Sequence, residues 1–267
     1  HSVKFFRRII SYAEENQLAH GSATNIFLFT LATMADEIQP SSLNEVEAIA
    51  HRHGLHEEFI ETLTAFARSS LNHYIQHFQN LSTEPFPLTA WPTLTIRHAG
   101  GLVFQEAHHQ VSETTGVDLF GLHGAAKTKA PNRGGTHFTP PGLARVILEQ
   151  TLSNHYNQGH ITLLDPACGS GIFLHETIRT LSRKSYRGRV SLIGRDISPH
   201  ATLMARFAVR RGIVDTPQGG LAVENVDIQT NDSLDGEDWP RADIVSMNPP
   251  FKSWGNLSSS ERNVLKS

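Results

Sequence analysis

Residues 161–174 constrain the fold more than any other stretch of the chain. The apolar run 161–164 predicts a buried strand, and it ends directly in an acid, Asp165. A turn of small residues follows, in which Gly169 and Gly171 allow backbone angles and close approaches that a side chain would block. Apolar residues at helical spacing come next. A strand, a glycine turn and a helix in this order predict an α/β fold with a nucleotide-sized cleft at the carboxyl edge of a parallel sheet.

The acid that precedes the glycines indicates what kind of ligand this cleft takes. A carboxylate at Asp165 repels a pyrophosphate but suits a ligand that carries an ammonium group. The three-glycine fingerprint of dinucleotide-binding folds is also incomplete here. The turn therefore favours a cationic, nucleoside-like ligand over a dinucleotide.

Three more strands are expected after this turn. The strand 190–196 ends in Asp196, where an acid can accept hydrogen bonds from both hydroxyls of a ribose. A strand at about 223–228 leads to Asp232, and a strand at 242–247 leads to Asn248. Polar residues therefore follow each strand at the same edge of the predicted sheet.

The first part of the chain is predicted to be helical. Ser42 and Glu45 match a capping box that opens a helix ending at Gly54. Apolar residues at three- and four-residue spacing over 59–78 predict one amphipathic helix of about five or six turns. We expect a helical domain over residues 1–120 and the α/β domain over residues 121–267.

Composition narrows the classes of function. A net charge of −3 does not indicate the basic face of a nucleic-acid-binding protein, although a separate recognition domain could supply one. The single cysteine, Cys168, excludes an internal disulfide and fits a reducing cytoplasm. No apolar run is long enough to span a membrane. The sixteen histidines show no metal-binding motif, so no metal is expected.

Three motifs in order carry a resemblance to a known family. They are Asp165 to Gly171 (DPACGSG), Thr136 to Pro141 (THFTPP) before it, and Asn248 to Phe251 (NPPF) after it. Together they resemble the DNA adenine-N6 methyltransferases, and in particular the modification subunits of restriction–modification and related phage-defence systems. The resemblance covers roughly the second half of the chain. It implies an N-terminal helical domain followed by a partial Rossmann-like, S-adenosylmethionine-dependent methyltransferase sheet. About three more strands and a target-recognition domain would complete such an enzyme, so the chain is expected to be part of a longer protein.

The resemblance also implies which residues bind the cofactor, S-adenosylmethionine. Phe138 would border the adenine, Thr139 and Pro140 would lie near the methionine end, and Asp232 would accept from the exocyclic amine of the adenine. The full set implied is Phe138, Thr139, Pro140, Asp165, Ala167, Gly169, Gly171, Asp196, Ile197 and Asp232.

The catalytic residues implied are Asn248, Pro249, Pro250 and Phe251. The exocyclic amine of adenine is a poor nucleophile because its lone pair is delocalised into the ring. The side-chain oxygen of Asn248 and the carbonyl of Pro249 would accept hydrogen bonds from that amine, and Phe251 would stack on the flipped target base. The predicted reaction is methyl transfer to the N6 amine of adenine in DNA.

Other functions remain open on these residues. A methyltransferase that acts on RNA bases or on a protein glutamine amide also uses Asn-Pro-Pro, but usually prefers Tyr next and lacks the Thr-Pro element. A cytosine-N4 DNA enzyme would more often show Ser-Pro-Pro. The non-enzymatic alternative is a subunit that keeps the fold only to bind DNA or partner proteins. The expected partners are DNA and specificity or restriction subunits, with no membrane.

Overall fold

The computed structural model describes residues 1–19, 21–81, 87–115, 139–217, 219–233 and 239–249. The α-helices in this part of the chain are α1 (Ser2–Glu15), α2 (Ser22–Asp36), α3 (Leu43–His53), α4 (Ile60–Ser69), α5 (Leu71–Leu81), α6 (Trp91–Thr115), α7 (Pro141–Thr151), α8 (Ile172–Arg183) and α9 (Pro199–Asp215). The strands are β1 (His160–Asp165), β2 (Arg189–Asp196), β3 (Ala222–Thr230) and β4 (Ile244–Val245). The predicted domain division at residue 120 falls outside the described residues and stays a prediction.

Local sequence signals explain where several helices begin and end. The predicted capping box at the start of α3 is present, with Ser42 Oγ accepting from the backbone of Glu45 and the Glu45 side chain accepting from the backbone of Ser42. The same helix ends at Gly54, whose left-handed backbone (φ 71°) suits glycine. Pro140 precedes α7 and Pro141 opens it, where a missing N–H costs no hydrogen bond.

The predicted single helix over 59–78 is wrong in one respect, because it is two helices. α4 ends at Ser69, and Ser70 leaves the helical region of backbone space with φ −134°. Ser69 Oγ donates to the carbonyl of Ala65 and lies 3.0 Å from Ser70 Oγ. Serine side chains compete in this way for backbone partners and weaken a helix at that point. The bend lets both apolar faces reach one core.

Aromatic side chains dominate the core of the N-terminal helices. Phe5 of α1 packs edge-on against Phe78 of α5 with ring centroids 4.7 Å apart, and Phe6 packs against Phe27 of α2 at 5.1 Å. All four rings are buried. α2 is buried along almost its whole length, which fits its nearly continuous apolar sequence.

The second half of the described chain forms a four-stranded sheet in the order β3-β2-β1-β4, with every pair parallel. α8 connects β1 to β2, and α9 connects β2 to β3. The predicted fold class, a helical region followed by a Rossmann-like sheet, is confirmed. In this order the crossover direction reverses between β1 and β4, and open α/β sheets bind ligands beyond the carboxyl ends of the strands at such a point.

α9 belongs to both halves of the molecule. Met204 and Phe207 lie in the core formed by the N-terminal helices, whereas Ala205 and Val209 lie in the core of the sheet. The N-terminal helices therefore pack directly on a helix of the sheet. None of the helices in the described part of the chain has both the length and the apolar character needed to cross a bilayer.

Candidate active site at the carboxyl edge of the sheet

Asp165 and Asn248, two of the polar residues predicted to form the site, follow neighbouring strands at one edge of the sheet. Leu164 pairs with Val245, so Asp165 lies one residue past that pair and Asn248 lies three residues past it on the neighbouring strand. The backbone N–H of Ser246 donates to the carbonyl of Leu164, which keeps β1 and β4 paired up to the point where they leave the sheet. The Asp165 and Asn248 turns thus lie on the same edge, on the two strands that flank the point of reversal.

The turn of residues 166–171, here called the glycine turn, depends on its two glycines for different reasons. Gly169 has φ 50°, and a Cβ placed there would meet nothing within 4 Å, so its surroundings are open. Gly171 has φ 83°, and a Cβ there would lie 2.8 Å from the Cα of Ala205. Gly171 thus allows the first turn of α8 to approach α9 closely, while Gly169 leaves space beside the turn.

The acid at the end of β2 is bound to the glycine turn. Asp196 Oδ2 accepts from the backbone N–H of Gly169 at 2.9 Å, and Oδ1 accepts from the backbone N–H of Ser198 at 2.9 Å. Burial raises the pKa of Asp196, and these two hydrogen bonds act against that rise. Each carboxylate oxygen has a second lone pair, so the group can also accept from two ligand hydroxyls. Ile197 follows with its side chain 41% exposed at the same edge.

Asp165 is the most deeply buried acid of the site, with 1% of its surface exposed. Its Oδ1 accepts from the backbone N–H of Ala167 at 3.2 Å, which makes it part of the turn. Burial raises its pKa to about 8, the Ala167 bond opposes the rise, and the nearby charge of Asp196 adds to it. The Asp165 carboxyl therefore holds a proton at neutral pH unless a cation is placed beside it.

The end of β3 closes a third side of the site. The backbone N–H of Asn231 donates to the carbonyl of Asp196 at 3.0 Å, and Ser233 Oγ donates to the carbonyl of Pro166 at 2.6 Å. Asn231 Oδ1 is buried and accepts no hydrogen bond from any described group. A buried acceptor of this kind can be satisfied by a donor on a ligand. Asp232 is exposed beside it.

The remaining predicted residues are described only in part. Thr139 is buried, and Pro140 is exposed at the start of α7, which packs against α8. Asn248 is half-buried and Pro249 is exposed. Phe138, Pro250 and Phe251 lie outside the described residues.

Sequence reasoning missed the contacts that tie the site to the rest of the molecule. Arg195, inside β2, is 8% exposed and donates to the Asp227 carboxylate at 2.6 Å. Glu176 of α8 is fully buried and accepts from Arg97 of α6. In the sequence, each is a charged residue within an otherwise apolar strand or helix face. This pattern indicates that the residue has a partner but does not identify the partner.

Two other features of the described residues lie apart from this edge. A cavity of about 620 Å³ lies at the junction of α3 and α9, but Arg206 and Arg210 in its wall are balanced by Glu57 and Glu58, so its charge favours no one class of ligand. Among the described residues, no cluster of His, Cys, Asp or Glu has the size to hold a metal ion.

A sequence model of one family, N-6 DNA Methylase, matches residues 120–266, which is more than half of the chain. The chain belongs to the N-6 DNA methylase family. The predicted family is thereby confirmed. All three motifs and the four strands of the sheet lie within this single match.

Two solved structures are similar to this chain. A type I restriction–modification system methyltransferase subunit from Streptococcus thermophilus is 15% identical, with a TM-score of 0.37, and the match covers 94% of this chain and 64% of that one. A protein from Listeria monocytogenes assigned as a class I S-adenosylmethionine-dependent methyltransferase is 16% identical, with a TM-score of 0.34, and the match covers 86% of this chain and 59% of that one. The chain thus spans less than two thirds of the length of either structure.

Proposed function

We propose that this chain is the cofactor-binding part of an enzyme that transfers a methyl group from S-adenosylmethionine to the N6 amine of an adenine in DNA. The observation that carries the proposal is the position of the glycine turn and of Asn248 at one edge of the sheet, on neighbouring strands, in a chain of the N-6 DNA methylase family. A methyl donor and an amine acceptor must meet in one pocket, and this edge brings their candidate binding groups together.

The described residues fit the chemical groups of S-adenosylmethionine. The two oxygens of Asp196 suit the two ribose hydroxyls, and the open space beside Gly169 admits a ligand close to the backbone. Thr139 and Pro140 would lie near the methionine end, and Asp232 would accept from the adenine amine. When bound, S-adenosylmethionine supplies a methyl group on a positively charged sulfur. A cation beside Asp165 would favour loss of its proton.

Asn248 and Pro249 would bind the amine that receives the methyl group. The Asn248 side-chain oxygen and the Pro249 carbonyl each accept one hydrogen bond from the amine, which draws its nitrogen toward tetrahedral geometry. Proline fixes the backbone here, so the two acceptors keep their direction without reorganising during the reaction. Positioning and fixed dipoles thus supply the catalysis, and no metal is required.

The substrate base must leave the DNA duplex to reach this edge, and Phe251 would stack on it. The chain carries a net charge of −3, so we assign most of the DNA contact to other parts of the full-length protein. Specificity or restriction subunits are the partners we propose, as part of a restriction–modification or phage-defence system in the cytoplasm.

Two measurements test this function. Calorimetric titration of the 267-residue chain with S-adenosylmethionine should give a saturable heat. Sequencing of modified bases in DNA from cells that express the full-length protein should reveal N6-methyladenine at a defined site. Methylation found in RNA, in protein glutamine or at cytosine N4 would replace the proposed substrate, and absence of cofactor binding by the full-length protein would remove the proposal.

A further inference from the structure

α6 of the N-terminal helices lies directly against the glycine turn. Thr95, Ile96 and Gly100 of α6 and Ser170 of the turn line one small cavity of about 10 Å³, together with residues of α2 and α9. A Cβ at Gly100 would lie 3.5 Å from Ser170 Oγ, which is ordinary contact distance. The backbone of α6 therefore lies so close to the turn that one added methyl group would contact Ser170. A shift of α6 would for this reason displace the turn as well.

An ion pair fixes α6 to the helix that follows the turn. Arg97 Nε donates to Glu176 Oε1 at 2.8 Å, and Glu176 lies in the second turn of α8. The Glu176 side chain is fully buried, whereas 20% of the Arg97 side chain is exposed. Arg179 Nε lies 3.7 Å from the same Glu176 oxygen, and His175 Nδ1 lies 3.6 Å from it.

Glu176 keeps its charge in this setting. Burial alone raises the pKa of Glu176, but the neighbouring His175 and Arg97 lower it to about 2. Its second oxygen, Oε2, is buried and accepts no hydrogen bond from any described group. A buried carboxylate that loses its partner is strongly unfavourable, so the Arg97 contact holds the two helices in one relative position.

The position of α8 sets the shape of the glycine turn. Gly171 is both the last residue of the turn and the residue that precedes α8, and its close contact with Ala205 leaves no room for adjustment. The other end of the turn is fixed by the Gly169 bond to Asp196. A movement of α8 would therefore strain the turn between two fixed points.

We infer that Arg97 is a positioning residue for cofactor binding: through Glu176 it holds α8, and with it the glycine turn, in the shape that accepts S-adenosylmethionine. This inference rests on the proposed function. Arg97 acts through Glu176 and touches neither the cofactor nor the reacting atoms. The N-terminal helices thereby gain a role in cofactor binding, although the residues that contact the cofactor lie in the sheet half of the chain.

The test compares three variants with the unaltered chain. Arg97→Ala removes the donor, and Arg97→Lys keeps the charge. The double variant Arg97→Met with Glu176→Gln removes both charges, so that no unpaired carboxylate is left to unfold the protein. Arg7→Ala is the matched control, because Arg7 forms an ion pair with Glu106 of the same helix α6 at 2.7 Å but does so away from α8. Each variant is checked for its unfolding temperature first.

Two measurements are made on each folded variant. Amide hydrogen exchange over residues 166–175 without ligand reports the turn itself, and calorimetry reports the dissociation constant for S-adenosylmethionine. We expect Arg97→Ala and the double variant to weaken cofactor binding about tenfold, with faster exchange in the turn, within the range for residues coupled in one network. Arg97→Lys should recover part of the affinity, and the Arg7→Ala control should match the unaltered chain.

Unchanged exchange and an affinity within about twofold of the unaltered chain, in a folded Arg97→Ala or double variant, would overturn the inference. An equal loss in the Arg7→Ala control would overturn it as well, because the effect would then be general to α6. If neither the unaltered chain nor the full-length protein binds S-adenosylmethionine, the proposed function fails, and hydrogen exchange over the turn still decides whether Arg97 positions it.

Discussion

The backbone N–H of Gly169 donates to Asp196 Oδ2 at 2.9 Å, which joins the turn after the first strand to the acid after the second. The carbonyl of Arg195 accepts from the backbone N–H of Cys168 at 2.8 Å and adds a second link. Because of these bonds, the turn and the acid form one unit, and a ligand that contacts one of them contacts the other. Substitutions at either residue should therefore change cofactor binding together.

Asp196→Ala should abolish most cofactor binding. The change removes the two charge-assisted hydrogen bonds that we propose to the ribose and also the partner of the Gly169 N–H, for a combined loss of about 3 kcal/mol or more, which is about a hundredfold in affinity. Calorimetry measures the dissociation constant. Glu224→Ala is the control, because Glu224 is an exposed acid near the opposite end of the sheet that pairs with Arg189 at 2.6 Å. Equal affinities for the Asp196→Ala variant and the unaltered chain would remove the ribose assignment.

The parts of the fold and of the site that sequence alone predicted are those determined by residues close together in the chain. The capping box of α3, the glycine turn and the acids at the strand ends depend on a few consecutive residues. The break at Ser70 was missed, since apolar periodicity continues across it while the serine hydroxyls decide the backbone.

The contacts between distant residues could not be predicted in the same way. Arg97 and Glu176 are 79 positions apart, and nothing in either local pattern names the other as its partner. The two-sided burial of α9 is a similar case, because its sequence shows apolar residues around much of the helix but not which core each one joins. Such pairings follow from the packing of whole elements, which a single sequence does not specify locally.

Asn248→Ala in the full-length protein should retain cofactor binding but lose methyl transfer. The side-chain oxygen of Asn248 is expected to act on the amine in the transition state, and loss of one such preorganised group lowers kcat by about 10²- to 10³-fold. Single-turnover transfer of a labelled methyl group to DNA measures the rate, and calorimetry measures cofactor affinity. Met247→Ala, at the exposed neighbouring position, is the control. Turnover at the unaltered rate would exclude the proposed role of Asn248.

Gly171→Ala should destabilise the fold. Alanine at φ 83° is strained, and its Cβ would lie 2.8 Å from the Ala205 backbone, for a combined cost of about 2–4 kcal/mol. Gly142→Ala is the matched control, because Gly142 lies in α7 and a Cβ there would meet nothing within 4 Å. That change should be neutral or stabilise the protein by up to about 1 kcal/mol, since alanine favours helices. Urea denaturation measures both, and equal midpoints for the two variants would contradict the close approach of α8 to α9.

The buried carboxyl of Asp165 should make the free energy of unfolding depend on pH. Its pKa is about 8 in the folded chain and returns to an ordinary value near 3.8 on unfolding. Between these values the folded state holds a proton that the unfolded state has lost. The contribution of Asp165 to stability is therefore fully present below about pH 4 and is lost as pH rises toward 8, by up to about 1.4 kcal/mol per pH unit.

Asp165→Asn isolates this contribution from that of other groups. Asparagine keeps an oxygen to accept from the Ala167 N–H but does not titrate, so the variant should gain stability relative to the unaltered chain as pH rises from 5 to 8. Urea denaturation at each pH gives the difference directly. Other buried groups titrate in both proteins, so their effects on stability cancel in the comparison. His175 is one of them, and burial lowers its pKa. Parallel curves for Asp165→Asn and the unaltered chain would mean that Asp165 is ionised in the fold, and the burial of its carboxyl would then be wrong.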